Sequence, residues 1–196
     1  MKTVVEDTLA RWTLPVPAFV DEVVAAAGAL DDDASYQRLA IRLSHENVAR
    51  GGGPFAAVVS MQGRLLCAGV NGVLSSGLSI AHAEIVAITL AQQALSGAAQ
   101  TPAPLTLYSS TEPCCQCFGA LLWSGVTRLV CAATTQDAED IGFDEGPKPH
   151  AWPKELERRG ISVELGVCRE EARAVLQEYA RRGGLIYGSA APPVAR

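Results

Sequence analysis

At 196 residues, 48% of them apolar, the chain has the size and apolar content of one globular domain with a substantial core. A formal charge of -5, with acidic residues spread along the length, leaves no basic tract for a phosphate backbone, so long nucleic acid is not expected as a partner. No run of 18 apolar residues offers a membrane span and the opening MKTVVEDTLARW has none of the parts of an export signal, which predicts a soluble, cytoplasmic protein with no membrane partner.

Residues 1–30 read as an N-terminal extension, with Pro15 and Pro17 ahead of an alanine-rich segment and no visible chemistry. Asp31 to Asp33 then offer capping acceptors, and Tyr36, Leu39, Ala40 and Leu43 recur at helical spacing up to the glycines at 51–53, which predicts a helix over 34–50. Two β-prone runs, 55–61 and 65–70, are separated by Gln62 and Gly63 and should pair as an antiparallel hairpin. After the Gly/Ser-rich stretch 71–79, helical periodicity returns over 82–95, with Ile85, Ile88, Leu90 and Ala91 on the inner face. A loop at Pro102 and Pro104 precedes a buried strand over 105–110, Pro113 opens a third helix running through Trp123, and a strand follows over 127–133. Beyond a loop at 136–149, a helix over 153–159, a strand over 162–166 and a helix over 169–182 complete the succession. Strands alternating with helices in this way predict an α/β, three-layer α/β/α domain over 31–196 with a mixed central sheet.

Six cysteines without an export signal argue against a disulfide framework, and three of them crowd into positions 114–117. Cys67, Cys131 and Cys168 stand in apolar or mixed surroundings and are assigned packing roles. Cys114 and Cys117 are three apart at a predicted helix start, so their sulfurs can turn towards one ion, and the positive end of a helix favours the thiolates that zinc needs. His82 and Glu84, in H-A-E, cannot face one cavity if both lie mid-helix; they can if His82 caps the helix from outside and Glu84 lies in its first turn. His82, Cys114 and Cys117 then make three ligands with a fourth position left for water, the layout of catalytic zinc. Zinc lowers the pKa of its water from about 15.7 towards roughly 7, and Glu84 is placed to carry protons from it to a leaving amine. This pairing of H-x-E with P-C-x-x-C is the general signature of zinc deaminases. The opposing possibility is a structural zinc closed by Cys115, but that residue falls about 100° around the axis from Cys114. His45 is assigned to the surface, and His150, after the acidic loop, is a candidate for lining the pocket.

The stretches GGPFAAVV, AHAEIVA, EPCCQCFGALLWSGV, IGFDEGP and LIY, spread over residues 51–188, carry a resemblance to the cytidine deaminase superfamily and, within it, to bacterial guanine deaminases of the guanine and ammeline type. The resemblance implies a cytidine deaminase-like fold, one Zn2+ per subunit and a small nucleobase or triazine substrate. It also implies a homodimer whose C-terminal segment is exchanged, so that Tyr187 serves the neighbouring subunit's pocket. By the same resemblance Phe55 and Trp123 wall the ring, Asn71 hydrogen-bonds it, the Ala83 N–H contacts it, and Glu145, preceded by Asp144, meets the amino and ring N–H edge and helps to relay protons. Taken alone, the two aromatics serve equally as core, Asn71 as a turn residue, and the two acids as a solvated loop. Cys115 and Gln116 fill the two variable positions between ligands, and the loop at 75–80 departs more from the family's pattern.

The expected reaction is conversion of guanine to xanthine and ammonia, with attack at C2 and Glu84 protonating N3 and then the amine. The alternatives are deamination of another small ring, such as ammeline or another triazine, cytosine or a nucleoside, and, outside enzymes, a zinc-stabilised binding protein.

Overall fold

A computed structural model describes residues 16–95 and 103–188. The first helix, α1 (Phe19–Ala25), falls in the segment read as an extension. Its Phe19 and Val20 are buried in one cluster with Tyr36, Leu39 and Leu43, so this part of the extension is packed onto the domain; residues 1–15 lie outside the described residues. The next helix, α2 (Asp33–Ala49), is capped reciprocally, Asp32 accepting from the Ser35 N–H while the Ser35 hydroxyl accepts from the Asp32 N–H. Strands β1 (Ala56–Met61) and β2 (Arg64–Val70) pair antiparallel as expected. Gln62 and Gly63 turn the chain with φ of 53° and 71°, the left-handed pair that a two-residue hairpin requires.

The Gly/Ser-rich stretch, read as a loop, holds one helical turn, α3 (Val73–Ser76), whose first free N–H is taken by the Asn71 side chain at 3.2 Å. Helix α4 (Ala83–Ala94) turns in a face rotated from the one periodicity selects: Ile88 and Ala91 are buried as expected, with Ala83, Glu84, Val86 and Ala87, whereas Ile85 and Leu90 are only half-buried. The reason is close approach to β2. A Cβ on Gly69 would lie 2.8 Å from the Ala87 nitrogen and 2.9 Å from the Ala83 oxygen, so small residues hold the contact and bulkier ones flank it.

Strand β3 (Leu105–Thr111) leads into α5 (Cys115–Leu121), which is followed by β4 (Val126–Ala133) and the short α6 (Thr135–Glu139). Helix α7 (Trp152–Glu157), strand β5 (Ser162–Leu165) and helix α8 (Arg169–Arg181) complete the domain. Helix α5 stops two residues before Trp123, because Ser124 takes the Leu121 carbonyl with both its N–H (3.2 Å) and its hydroxyl (2.8 Å).

The sheet has the order β2-β1-β3-β4-β5, antiparallel among its first three strands and parallel from β3 to β5. Its central strands β1, β3 and β4 are buried on both faces. Ala57, Val59, Leu107, Leu129 and Cys131 pack beneath α4 and α7, and Ala56, Val58, Tyr108 and Val130 beneath α1 and α2. Double burial explains why these strands read as unbroken apolar runs rather than as alternating ones. The site lies where the C-terminal end of β3 meets the starts of α4 and α5. Among the described residues no helix is long and apolar enough to cross a membrane.

Candidate active site

His82 is the N-cap of α4, extended at φ -68° and ψ 151°, and Glu84 lies in the first turn, the arrangement that the H-x-E spacing demands. Cys114 is likewise an N-cap, at φ -66° and ψ 174°, so it stands just outside α5 rather than within its first turn, while Cys117 is inside. Two helix starts thus face each other. The His82 Nδ1 lies 3.4 Å from the Cys114 sulfur and 3.5 Å from the Cys117 sulfur, and the three donor atoms fall within 4.8 Å of one another. A tetrahedral zinc with ordinary Zn–N and Zn–S bonds separates such atoms by about 3.5 Å, so the donor set fits Zn2+.

The thiol chemistry agrees. Hydrogen bonding from Cys117, followed by the influence of His82, holds Cys114 down to about 4 against the opposing effect of burial, whereas Cys117 is pushed well up by the Cys114 sulfur and by burial. One thiolate is therefore present even without an ion, and a cation gathers the second. Cys115 is half-buried and does not join the cluster; its sulfur lies beside Gly146, where a Cβ would come within 2.4 Å of it.

Glu84 is 7% exposed, and burial, then the Cys114 thiolate, raises its pKa. The Ser109 hydroxyl donates to its Oε1 at 3.2 Å and the Cys117 thiol to its Oε2 at 3.4 Å. Glu145, 6% exposed, is pushed up to about 8, first by burial and then by Cys114, with Lys148 acting in the opposite direction. Its carbonyl accepts from the Cys115 N–H at 2.8 Å, while its Oε2 is buried with no partner.

These groups open onto a cavity of about 400 Å³. Phe55, Asn71, His82, Glu84, Cys114, Asp144, Glu145 and Tyr187 all line it. Asn71 lines the cavity and also serves its turn, its Oδ1 accepting from the Val73 N–H at 3.2 Å. Asp144 is exposed at the rim, where its Oδ1 accepts from the Gly146 N–H at 2.9 Å.

Three expected placements differ. Trp123 is 77% exposed and does not line the cavity, because α5 ends before reaching it. His150 is exposed and away from the cavity as well. Tyr187, expected over a neighbour's pocket, reaches the cavity of its own chain. Its hydroxyl sits where a Cβ on Gly53 would lie 1.8 Å away, which accounts for the third glycine of the 51–53 run. Ala83 is wholly buried and contributes no side chain to the cavity, and its N–H, in the first turn of α4, has no acceptor within the helix.

Sequence reasoning missed Phe143, Glu112, Gln116 and Ser79 as lining residues. Phe143 supplies the wall assigned to Trp123, with ring centroids 4.9 Å from Phe55 and 5.1 Å from Tyr187; its place inside IGFDEGP was the available signal. Gln116 Nε2, Glu145 Oε2 and Tyr187 Oη are buried without partners, and all three residues line the cavity. Unpaired buried polar atoms are costly, so their convergence marks a place for a polar ligand.

The family model for the cytidine and deoxycytidylate deaminase zinc-binding region matches residues 30–133, and the chain belongs to this family. It is accordingly a zinc-dependent hydrolytic deaminase with a cytidine deaminase-like fold. The chain is 39% identical over 112 residues to the guanine deaminase of Bacillus subtilis (strain 168), covering 57% of this chain and 70% of that relative. Among solved structures, guanine deaminase from Nitrosomonas europaea is similar with a TM-score of 0.82 at 40% identity, covering 87% of this chain and 97% of that one. NE0047 in complex with 2,6-diaminopurine is similar with a TM-score of 0.82 at 42% identity, covering 90% and 96%.

Proposed function

We propose that this chain converts guanine to xanthine and ammonia. The carrying observation is a buried carboxylate oxygen, Glu145 Oε2, left without a partner in the cavity that also holds the His82, Cys114 and Cys117 set. Guanine answers it with adjacent N–H donors, whereas cytosine and adenine present a different donor pattern around the reacting carbon. Relatives named guanine deaminase at 39% and 40% identity support the same choice.

His82, Cys114 and Cys117 would hold the zinc, which when bound would supply a water nucleophile at neutral pH. Glu84 takes the proton that this water gives up and delivers it to ring N3 as the new C2–O bond forms. The new hydroxyl on C2 then gives up its proton, again through Glu84, to the exocyclic nitrogen; the C2–N bond breaks as the C2 carbonyl forms, and ammonia leaves. Burial suits Glu84 to this traffic, because it raises the carboxyl's pKa and so makes the group a better proton acceptor. Phe55, Phe143 and Tyr187 enclose the ring and exclude bulk water, and Asn71 and the Ala83 N–H hold its polar edge. Glu145 accepts from the ring N–H edge through the oxygen that has no partner within the chain.

This reading makes the protein a cytoplasmic enzyme of purine metabolism that works as a homodimer. Support for the dimer comes from α5, where Trp123 is 77% exposed beside half-buried Phe118 and Leu122, an apolar surface suited to a second copy. Light scattering should give twice the chain mass; a monomer at micromolar concentration would remove the dimer and leave the chemistry standing.

The test of function is ammonia release by the zinc-loaded protein from a panel of guanine, 2,6-diaminopurine, ammeline, cytosine and adenosine. Guanine is expected to be turned over with the highest kcat/KM. Preferred turnover of ammeline or cytosine would overturn the substrate assignment, and silence on the whole panel, with zinc bound, would favour a zinc-stabilised binding protein.

A further inference from the structure

Lys148 follows the acidic loop and takes no part in the chemistry described so far. Its ammonium donates to the Pro113 carbonyl at 2.6 Å and to the Thr135 hydroxyl at 2.6 Å. That hydroxyl donates in turn to Glu112 Oε2 at 2.7 Å, and the Thr135 N–H reaches the same oxygen at 3.0 Å. The stem of Lys148 is half-buried, and its nitrogen lies 5.2 Å from the centre of the Trp152 ring, which fixes it from behind. A lysine so enclosed gives up rotamer freedom, and the charge-assisted bonds it makes are stronger than neutral ones.

The partners of this ammonium are informative. Pro113 immediately precedes the ligand Cys114, and Glu112 lines the cavity. On the other side, Lys148 is three residues after Glu145, whose carbonyl receives the Cys115 N–H at 2.8 Å. Two links therefore join the 143–148 loop to the 112–115 turn, one through backbone and one through Lys148. Cut the second, and one backbone hydrogen bond remains between this loop and the turn, beside a row of acidic groups, Glu84, Glu112, Asp144 and Glu145, that all line one cavity.

We propose that Lys148 is a positioning residue: by gripping Pro113 and Thr135 it clamps the loop bearing Glu145 onto the turn bearing Cys114, and so sets where the second carboxylate stands relative to the metal ligands. It touches neither substrate nor metal, and its effect on rate passes through Glu145. The kinetic arm of the test rests on the proposed guanine activity; the other arm does not.

Hydrogen exchange reads the clamp directly. In Lys148→Met the Cys115 amide, protected by the Glu145 carbonyl, is expected to exchange at least about tenfold faster than in the wild type, with amides at the centre of β3 unchanged. An unaltered Cys115 rate overturns the proposal, and so does faster exchange throughout the sheet, which reports general destabilisation. In the kinetic arm, Lys148→Met should lower kcat/KM for guanine about tenfold with zinc still at one per chain. The same substitution in a Glu145→Gln background should cost less than about twofold, because the residue it serves is already disabled. Equal losses in both backgrounds, or loss of zinc from Lys148→Met, overturn action through Glu145. Should Lys148→Met fail to fold, Thr135→Val, which removes one of the two acceptors, takes its place with the same expected directions and the same overturning results. A wild type inactive on guanine sinks the substrate reading alone, since the exchange arm still decides the role of Lys148.

Discussion

Glu84→Gln is expected to keep one zinc per chain and a wild-type melting curve while losing between about 10² and 10⁴ in kcat on guanine, the range that a positioned proton carrier contributes. The substitution preserves shape, and the ligand set of His82, Cys114 and Cys117 does not include Glu84. What it removes is a site that can take a proton and give it back. The local contacts explain why nothing nearby substitutes: Ser109 donates towards the carboxylate and so presents no base, and the Cys117 sulfur is committed to the metal. Metal analysis and steady-state kinetics on the same preparation check this. A variant that retained full turnover would show that protons travel by another route, and one that lost its zinc would place Glu84 among the ligands.

Glu145→Gln should separate activity from stability. Turnover of guanine is expected to fall by about a hundredfold or more, because an amide offers only one accepting oxygen and cannot relay a proton. Stability should move the other way. Burial raises the Glu145 pKa from 4.5 to about 8, so the folded chain holds a proton that the unfolded chain has released. The stabilisation that goes with this protonated form is complete below about 4.5 and is lost as the pH rises through about 8. In metal-free protein the variant should therefore match the wild type near pH 4.5 and exceed it at pH 9, by on the order of a few kcal/mol. Urea unfolding across that pH range measures it. A gap that stays constant, or that opens towards acid, would mean that Glu145 is not a strained buried acid.

The parts of this site that were legible in the sequence are those fixed by neighbours along the chain. Two residues apart, His82 and Glu84 can share a cavity only across a helix cap, and the cap is where His82 stands. The pairing of β1 with β2 followed from a two-residue turn, and the buried strands from their apolar runs. What escaped was set mainly by contacts between distant segments, and at the end of α5 by one local capture invisible to periodicity. The inner face of α4 is chosen by its closeness to Gly69, a matter of small side chains that periodicity does not weigh. Helix α5 ends early because Ser124 captures the Leu121 carbonyl, and those few missing residues turn Trp123 from the cavity to the surface. Phe143 takes its place from a loop with no period at all, and Lys148 acquires a role only once Pro113 and Thr135 are brought beside it. Residue type announced the metal chemistry, whereas the shape of the pocket had to await the fold.

The seating of Tyr187 against Gly53 joins residues 134 positions apart in the chain. A polypeptide leaving the ribosome can therefore complete the sheet and gather its three metal donors well before it can roof them over. Until Tyr187 arrives the cavity lacks one of its aromatic walls, so enclosure of the ring depends on a segment made long after the metal donors.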